Sequence, residues 1–348
     1  MRQLAGWLYT RGMVDGTDIT IGAPTKAGAS AASATLPVGR FAPSPSGRMH
    51  LGNIFSSLVA WLSVRSQGGR MVLRIEDLDE RTRSGPWAGL LLEDLRWLGL
   101  DWDEGPFYQH DREDAYQAAL ARLEDAGLTY PCFCTRAELH AASAPHTSDG
   151  TPIYAGTCRG LRPDEVTERS RLRPPAVRLR VPSEDNPAGT VFFVDRAYGA
   201  QQEVLARDCG DFLVRRSDGV FAYQLAVVVD DAAMGVTEVV RGCDLLGSTA
   251  RQMYLQDLLG LPHPAYAHVP LIMAPGGRRL SKRDHDCGMD ALRERFRTPE
   301  RLLGFLAHAV GIVPDAAPRS AEELVPVFSW DAIRAHRDNI VVDEAFFA

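Results

Sequence analysis

The sequence predicts an α/β protein built on a doubly wound parallel sheet. Short apolar strands alternate with amphipathic helices over residues 35–128, and the same alternation returns from about residue 201. Between these stretches, residues 129–200 hold clustered cysteines and a loop rich in Ser, Thr, Gly and Pro, which is typical of an insertion. From about residue 262 the pattern becomes mostly helical, and this predicts a small C-terminal part.

The elements of the first stretch follow in order. LPVGRFAP predicts a short strand that enters a Pro/Gly turn, and LGNIFSSLVAWLSVRS then places apolar residues at helical spacing. RMVLRIED predicts a buried strand. PWAGLLLEDLRWLGL predicts a helix with Pro86 near its start, and DREDAYQAALARLEDAGL predicts another that ends before Gly127. Strand, helix, strand and helix in this order favour parallel strands.

The later elements are shorter. AVRLRV and TVFFVD predict strands within the insertion. DFLVRRSDGVFAYQLAVVVDD, TEVVRG and the helical LLGSTARQMYLQDLLG then restore the α/β character, and YAHVPLIM opens the C-terminal part. Residues 1–34 end in a tract of small residues, and we expect a disordered extension there. A transit peptide is the alternative, but two acidic residues and few arginines oppose it.

Composition excludes several classes of protein. The 348 residues are 45% apolar and 24% charged, which excludes a disordered or fibrous chain. The formal net charge of −7 argues against a general nucleic-acid coat but leaves room for a local basic face. No run of 18 apolar residues and no apolar leader are present, so we expect a cytoplasmic protein without membrane contact.

A first candidate site is the segment RFAPSPSGRMHLGN, where the first strand turns into the first helix. In a doubly wound sheet this turn lies at the carboxyl edge, where ligands bind. The helix N-terminus offers N–H groups to a phosphate, and His50 can donate to phosphate oxygens. Gly52 has no Cβ, so a base or a backbone could approach it closely. Alone, this pattern also fits an ordinary turn with one surface histidine.

A second candidate site is the segment GGRRLSKR, from Gly276 to Arg283. A hinge of two glycines followed by four cations within six residues can close over a polyphosphate. Alone, this segment also fits a solvated basic loop.

Three of the six cysteines cluster in the insertion. Cys132, Cys134 and Cys158 lie within 27 positions and suit tetrahedral Zn²⁺, although three structural thiols are the alternative. The residues leave the fourth ligand open, and a histidine, His140 or His146, is chemically preferred to a phenol. We expect one structural zinc, because a catalytic zinc keeps an open position.

In this order the two candidate phosphate motifs resemble the HIGH and KMSKS motifs of class I aminoacyl-tRNA synthetases. Five blocks across about residues 37–290 are similar to the glutamyl-tRNA synthetase branch: RFAPSPSGRMHLGN, LRIEDLDERT, AYQLAVVVDD, VVRGCDLLGSTARQ and RRLSKRD. The second motif departs from the family in having Arg-Leu where Lys-Met is frequent. The larger departure is length, since 66 residues follow Lys282, and this predicts that no anticodon-binding domain is present.

The shorter chain resembles a truncated paralog of this branch, which attaches glutamate to queuosine in the anticodon of tRNA(Asp). That resemblance implies ATP-dependent formation of glutamyl-adenylate, followed by transfer to tRNA(Asp) bearing queuosine. L-Glutamate and ATP would be the substrates, Mg²⁺ would accompany ATP, and the protein would act as a monomer. The paralog's pattern Cys-x-Cys…Tyr-x-x-x-Cys implies Tyr154 as the fourth zinc ligand.

The resemblance also implies the site residues. Those for glutamate are Arg40, Phe41, Ala42, Pro43, Ser44, Glu76, Tyr223 and Arg241. Those for ATP are His50, Gly52, Asn53, Ser281 and Lys282, of which His50, Gly52 and Lys282 are the catalytic ones. Free glutamate has two carboxylates and one ammonium, so a specific site needs two cations and an anion. Two arginines and Glu76 supply that set.

The same resemblance divides the chain into four parts. A Rossmann-type catalytic domain comprises residues 35–128 and 201–261, a zinc-containing insertion spans 129–200, and the helical part 262–348 carries the KMSKS-like loop, after the extension 1–34. Two other functions stay open, namely a short glutamyl-tRNA synthetase that charges the tRNA 3′ end and a non-catalytic tRNA-binding paralog. Under each of them, exposed arginines of the insertion would form an RNA-facing patch: Arg136, Arg159, Arg162, Arg171 and Arg173.

Overall fold

A computed structural model describes residues 36–135, 137–138, 153–274, 277–279 and 288–342, with the backbone of 12–14 and 17–19. Several residues singled out above lie outside this range: Arg136, His140, His146, Ser281 and Lys282. Within residues 1–34, two short strands pair antiparallel. The disordered extension stays a prediction.

The described elements alternate much as the sequence predicts. The strands are β1 (Gly12–Val14), β2 (Thr17–Ile19), β3 (Val38–Phe41), β4 (Arg70–Ile75), β5 (Glu104–Tyr108), β6 (Thr129–Cys132), β7 (Ala176–Leu179), β8 (Thr190–Asp195), β9 (Gly199–Val204), β10 (Phe212–Arg215), β11 (Glu238–Gly242), β12 (Ala265–Val269), β13 (Ile272–Ala274), β14 (Arg278–Arg279) and β15 (Ile340–Val341). The helices are α1 (Leu51–Arg65), α2 (Glu80–Arg83), α3 (Trp87–Trp97), α4 (Glu113–Asp125), α5 (Pro163–Leu172), α6 (Leu205–Asp208), α7 (Tyr223–Ala233), α8 (Thr249–Leu259), α9 (Met289–Phe296), α10 (Pro299–Ala309), α11 (Ala321–Leu324) and α12 (Trp330–Ala335).

A parallel sheet lies at the centre of the protein and confirms the predicted fold class. Strands β3, β4 and β5 pair in parallel, and β11 pairs in parallel with β12. Strand β11 lies beside β3, where the Thr237 backbone N–H donates to the Val38 carbonyl at 2.9 Å. Parallel strands place their carboxyl ends at one edge, so the segments that follow β3, β4 and β11 meet there.

Helix α1 covers this sheet with an apolar face. Its residues Leu51, Ile54, Phe55, Leu58 and Leu62 are all at most 1% exposed, at the helical spacing predicted from the sequence. They join one core with β3, β4 and the helices after residue 288. The start of α1 is therefore fixed at the carboxyl edge of the sheet by burial of the helix behind it.

The insertion forms an antiparallel sheet of its own. Strands β6 and β10 both pair with β7, and β8 pairs with β9 in a hairpin. Because β10 follows residue 201, this sheet extends beyond the predicted end of the insertion. Burial of Phe212 and Val214 explains the pairing, since both side chains contribute to a core that contains Leu179 of β7.

The part after residue 262 is more mixed in its described residues than predicted, since it holds four short strands as well as four α-helices. Strand β13 pairs with β14 antiparallel and with β15 in parallel, and α9 to α12 follow the gap before residue 288. Among the helices that the structure describes, none has the length and apolar character needed to cross a bilayer.

Candidate active site

The carboxyl edge of the parallel sheet opens into one cavity of about 590 Å³. Every predicted glutamate-binding residue lines it, together with the described members of the ATP set: Arg40, Phe41, Ala42, Pro43, Ser44, His50, Gly52, Asn53, Glu76, Tyr223 and Arg241. Residues distant in the sequence therefore meet at one site. The roles assigned to them stay predictions.

Arg40 is a buried cation with most of its hydrogen-bonding capacity unused. It is 6% exposed, and its Nη1 donates to the Val240 carbonyl at 2.9 Å. Its Nε lies 3.8 Å from Asp231 Oδ1 and makes no hydrogen bond with the residues described. Burial lowers the pKa of Arg40, and Asp231 opposes that shift. A guanidinium in this state can grip a carboxylate with two N–H groups.

Arg241, by contrast, is held by the protein on most of its donors. Its Nε donates to His268 Nε2 at 3.0 Å, and its Nη1 donates to Gln252 Oε1 at 2.8 Å. Its Nη2 donates to Thr249 Oγ1 at 2.9 Å and to the Leu245 carbonyl at 3.2 Å. A guanidinium has five N–H donors, so the bonds of Arg241 to described residues leave one N–H on Nη1 for a ligand.

Glu76 is one of two carboxylates that line the cavity, the other being Asp244. Arg74 Nη2 donates to Glu76 Oε1 at 3.2 Å, and Arg74 Nη1 donates to Asp231 Oδ1 at 2.7 Å. Burial raises the pKa of Glu76, although Arg74 and Arg40 oppose the shift. A ligand ammonium beside this carboxylate would favour its charged form. The arrangement therefore suits a cationic group.

Tyr223 begins helix α7, whose later residues Asp230 and Asp231 lie behind the cavity beside Arg74. Burial raises the pKa of Tyr223, so its phenol stays protonated and can donate a hydrogen bond. One helix thus supplies a neutral donor to the cavity and two carboxylates to the cations around it.

His50 caps the N-terminus of helix α1. Its Nδ1 accepts from the Gly52 N–H at 3.2 Å and from the Asn53 N–H at 3.4 Å, and Asn53 Oδ1 accepts from the His50 N–H at 3.4 Å. Since Nδ1 is an acceptor, the ring proton of the neutral imidazole is on Nε2, which can donate to a phosphate.

The structure explains why position 52 is a glycine in a way that the sequence did not indicate. A Cβ there would lie 3.2 Å from His50 Cε1 and 3.3 Å from Nδ1. Glycine therefore makes room for the capping imidazole, whereas the sequence predicted room for a base or a backbone.

The chain that resumes at Gly288, five residues after the second candidate motif, lies beside the first motif. Gly288 forms a β-bridge with His50, and the Met289 N–H donates to the Met49 carbonyl at 3.0 Å. Asp94 accepts from Arg293 of α9 at 3.1 Å and also binds Arg48. Gly288 and Met289 are therefore attached beside His50, whereas Ser281 and Lys282 lie outside the described residues, and the joint phosphate site stays a prediction.

The predicted metal ligands converge in the insertion. The sulfurs of Cys132, Cys134 and Cys158 all lie within 4.8 Å of one another. Tyr154 Oη is 3.5 Å from the Cys132 sulfur and 3.5 Å from that of Cys134, and the sulfurs of Cys134 and Cys158 are 3.6 Å apart. A tetrahedron with Zn–S bonds of about 2.3 Å has edges of about 3.8 Å. The donor set therefore fits a tetrahedral ion.

The thiols of this cluster differ in how readily they ionise. Burial raises the pKa of Cys134 to about 11. Burial acts in the same direction on Cys132, but Tyr154 and Arg178 outweigh it and lower the pKa of that thiol. Arg178 Nε donates to the Cys132 sulfur at 3.3 Å, and its guanidinium lies 3.8 Å from the Tyr154 ring centre. The thiols are thus unequal before any metal binds.

The predicted RNA-facing arginines are in different environments. Arg159 pairs with Asp211 at 3.1 Å, and Arg162 pairs with Asp164 at 3.2 Å. Arg171 is exposed on α5. The patch therefore stays a prediction.

Four residues that support the cavity were missed by the sequence analysis: Arg74, Asp195, Asp231 and His268. Each is at most 5% exposed. A signal existed, because each is an ionisable residue in or at the end of an apolar run, namely MVLRI, TVFFVD, AVVVDD and YAHV. A charge in such a run is buried only when it has a partner.

Comparison with known proteins gives close relatives. A protein of Symbiobacterium thermophilum named glutamyl-Q tRNA(Asp) synthetase is 49% identical over 315 residues, covering 87% of this chain and 94% of that one. A protein of Nitratidesulfovibrio vulgaris with the same name is 46% identical, covering 84% and 91%. A protein of Alkalilimnicola ehrlichii named glutamate–tRNA ligase 2 is 45% identical, covering 84% of this chain and 63% of that one.

Solved structures agree on the fold. A glutamate tRNA ligase from Elizabethkingia meningosepticum, determined in complex with its amino acid, has a TM-score of 0.74 at 24% identity, covering 90% of this chain and 68% of that one. The sequence model of the family described as "tRNA synthetases class I (E and Q), catalytic domain" matches residues 38–323. This chain therefore belongs to the class I tRNA synthetase (E and Q) family.

Proposed function

We propose that this chain activates L-glutamate with ATP and transfers the glutamyl group to queuosine in the anticodon of tRNA(Asp). The observation that carries the proposal is the cavity in which Arg40, Arg241 and Glu76 lie together. These two cations and one anion match the two carboxylates and the ammonium of glutamate, and Arg48 and Asp244 line the same cavity. The names of the relatives at 46–49% identity support the acceptor.

The first step is adenylate formation. The α-carboxylate of glutamate attacks the α-phosphate of ATP in line, and pyrophosphate leaves. Such a step depends mainly on positioning and on stabilisation of charge at the phosphate oxygens. His50 Nε2 and the N-terminus of α1 would bind the phosphates from one side, and Ser281 and Lys282 from the other, with Mg²⁺ accompanying ATP.

The second step is transfer. A hydroxyl of queuosine attacks the carbonyl carbon of the adenylate, the acyl–phosphate bond breaks, and AMP leaves. A base in a splayed anticodon loop can reach a cavity of this kind, because single-stranded RNA presents its bases individually.

A structural zinc in the insertion is part of the proposal. Cys132, Cys134, Tyr154 and Cys158 would hold it, and the 3.5–3.6 Å spacings between their donor atoms support that set. Tyr154→Phe should then weaken metal retention, whereas His146→Ala should leave it unchanged. If His146→Ala loses the metal and Tyr154→Phe keeps it, a histidine is the fourth ligand.

A second candidate function is charging of the tRNA 3′ end. The similarity to the protein named glutamate–tRNA ligase 2 favours it. A non-catalytic role is disfavoured because the described cavity residues supply the charges that glutamate requires.

The acceptor is tested by locating labelled glutamate. Purified chain is incubated with ATP, labelled glutamate and one of three tRNAs, namely tRNA(Asp) bearing queuosine, tRNA(Asp) without it, and tRNA(Glu). Each tRNA is used intact and with a 2′,3′-dideoxynucleotide at its 3′ end, which removes the terminal hydroxyls and leaves queuosine unchanged. We expect label on queuosine-bearing tRNA(Asp) in both forms. Label only on intact tRNA(Glu) would overturn the proposal and favour 3′-end charging.

A further inference from the structure

Behind the proposed glutamate pocket, Arg241 is the first member of a buried chain of three ionisable side chains. Arg241 Nε donates to His268 Nε2 at 3.0 Å, and His268 Nδ1 lies 2.6 Å from Asp195 Oδ2. His268 and Asp195 are 0% and 1% exposed. Neither residue lines the described cavity, so neither touches a ligand there.

The hydrogen bonds fix the state of the imidazole. An arginine Nε–H can only donate, so His268 Nε2 must carry a lone pair and the proton must be on Nδ1. That proton points to a carboxylate, which is the arrangement that selects this tautomer. Burial lowers the pKa of His268 to about 4, with Arg241 and Arg40 acting in the same direction and Asp195 against it. The ring is therefore neutral at pH 7.

Asp195 is itself held by the backbone. Its Oδ1 accepts from the N–H groups of Ala197 and Tyr198, each at 2.9 Å, and from the His268 N–H at 3.3 Å. It ends strand β8, whereas Arg241 and His268 are register partners on β11 and β12. The chain of contacts thus joins the β8–β9 hairpin to the pocket through two paired strands.

We propose that His268, oriented by Asp195, is a positioning residue that aims the one unused N–H of Arg241 at a carboxylate of the substrate. The inference rests on the proposed glutamate activation. Arg241 has four of its five donors fixed by the protein, so its contact with substrate depends on the orientation of the guanidinium. The hydrogen bonds from Nη1 and Nη2 to Gln252, Thr249 and Leu245 set the plane of the guanidinium. The bond to His268 fixes its Nε end.

Two variants of similar size separate positioning from space filling. His268→Gln keeps an amide oxygen that can accept from Arg241 Nε, whereas His268→Leu leaves that N–H without an acceptor. In tRNA-independent ATP–pyrophosphate exchange, we expect His268→Leu to raise the KM for glutamate roughly 10- to 100-fold. The KM for ATP should not change, and His268→Gln should recover most of the loss.

A third variant covers the case in which His268→Leu does not fold. Asp195→Asn allows the amide to donate to Nδ1, which places the ring proton on Nε2 opposite Arg241 Nε. We expect it to raise the KM for glutamate while His268→Gln stays close to wild type. Equal KM values for glutamate in wild type, His268→Leu and Asp195→Asn would overturn the inference. Wild-type protein without any glutamate-dependent exchange would instead overturn the proposed function.

Discussion

The glutamate pocket and the cysteine cluster differ in how their buried charges are neutralised. Around the pocket, Arg40 and Arg74 lie within 4 Å of a carboxylate, with Asp231 Oδ1 3.8 Å from Arg40 Nε and 2.7 Å from Arg74 Nη1. In the cluster, three sulfurs and one phenol converge beside the guanidinium of Arg178. The pocket is nearly neutral as it stands, whereas the cluster becomes strongly anionic once its thiols ionise.

This difference indicates that the two regions depend on their ligands differently. A pocket whose cations are already oriented needs little rearrangement when its substrate binds, which favours specific recognition. A cluster of thiols needs a cation before they can ionise together, so metal binding and local folding are coupled. We therefore expect substitutions in the pocket to change activity and substitutions in the cluster to change metal content and stability.

The largest expected effect is on the metal. Cys134→Ser should reduce zinc from about one ion per chain to near zero, because a closed site loses one anionic ligand. Glutamate activation should remain, since the cluster does not line the pocket. Metal analysis and pyrophosphate exchange on the same preparation check both statements. Cys209→Ser is the matched control, because Cys209 is buried outside the cluster.

The next effect distinguishes the two arginines of the pocket. Arg40→Lys keeps the positive charge but loses the planar pair of N–H groups that can bind both oxygens of a carboxylate. It should lower kcat/KM for glutamate about 100-fold, because hydrogen bonds between charged groups are stronger than those between neutral groups. Stability should change little, since Arg40 makes one described hydrogen bond. Arg241→Lys loses four hydrogen bonds and should lower both activity and the free energy of unfolding. Unfolding curves that shift equally for both variants would contradict this contrast.

A smaller effect is expected from pH. The pKa of His268 is about 4 in the folded protein, against a usual value near 6.5. As the pH falls below about 6.5, the unfolded chain binds a proton that native His268 does not, so stability is lost between pH 6.5 and 4. The loss should reach about 3 kcal/mol. Urea denaturation across this range should show it in wild type and not in His268→Gln.

Whether a residue of the site could be predicted depends on how far apart in the sequence its contacts lie. Motif residues such as Arg40, His50 and Glu76 were predicted because short sequence blocks beside strand ends resemble those of the synthetase family. The buried residues that hold them in place were not predicted, because their partners are distant in the sequence. Arg74 pairs with Asp231, which is 157 positions away, and His268 pairs with Asp195, which is 73 positions away. No local pattern encodes such pairs.

The secondary structure also includes elements that their own residues predict and elements that depend on pairing with a distant strand. Helix α1 was predicted from its spacing, and the structure confirms it. Strand β5 was missed because its residues EGPFY include Gly and Pro, which a strand rarely contains. Its parallel pairing with β4, rather than its own composition, makes it a strand.

We expect the pocket to select glutamate by itself, without tRNA. ATP–pyrophosphate exchange without tRNA tests it most directly, with glutamate and aspartate compared at equal concentration. Aspartate is one methylene shorter, so it cannot satisfy Arg40, Arg241 and Glu76 together. We expect exchange with glutamate and at least about 100-fold less kcat/KM with aspartate, because buried polar groups left unpaired are costly. Equal exchange with the two amino acids would contradict the account.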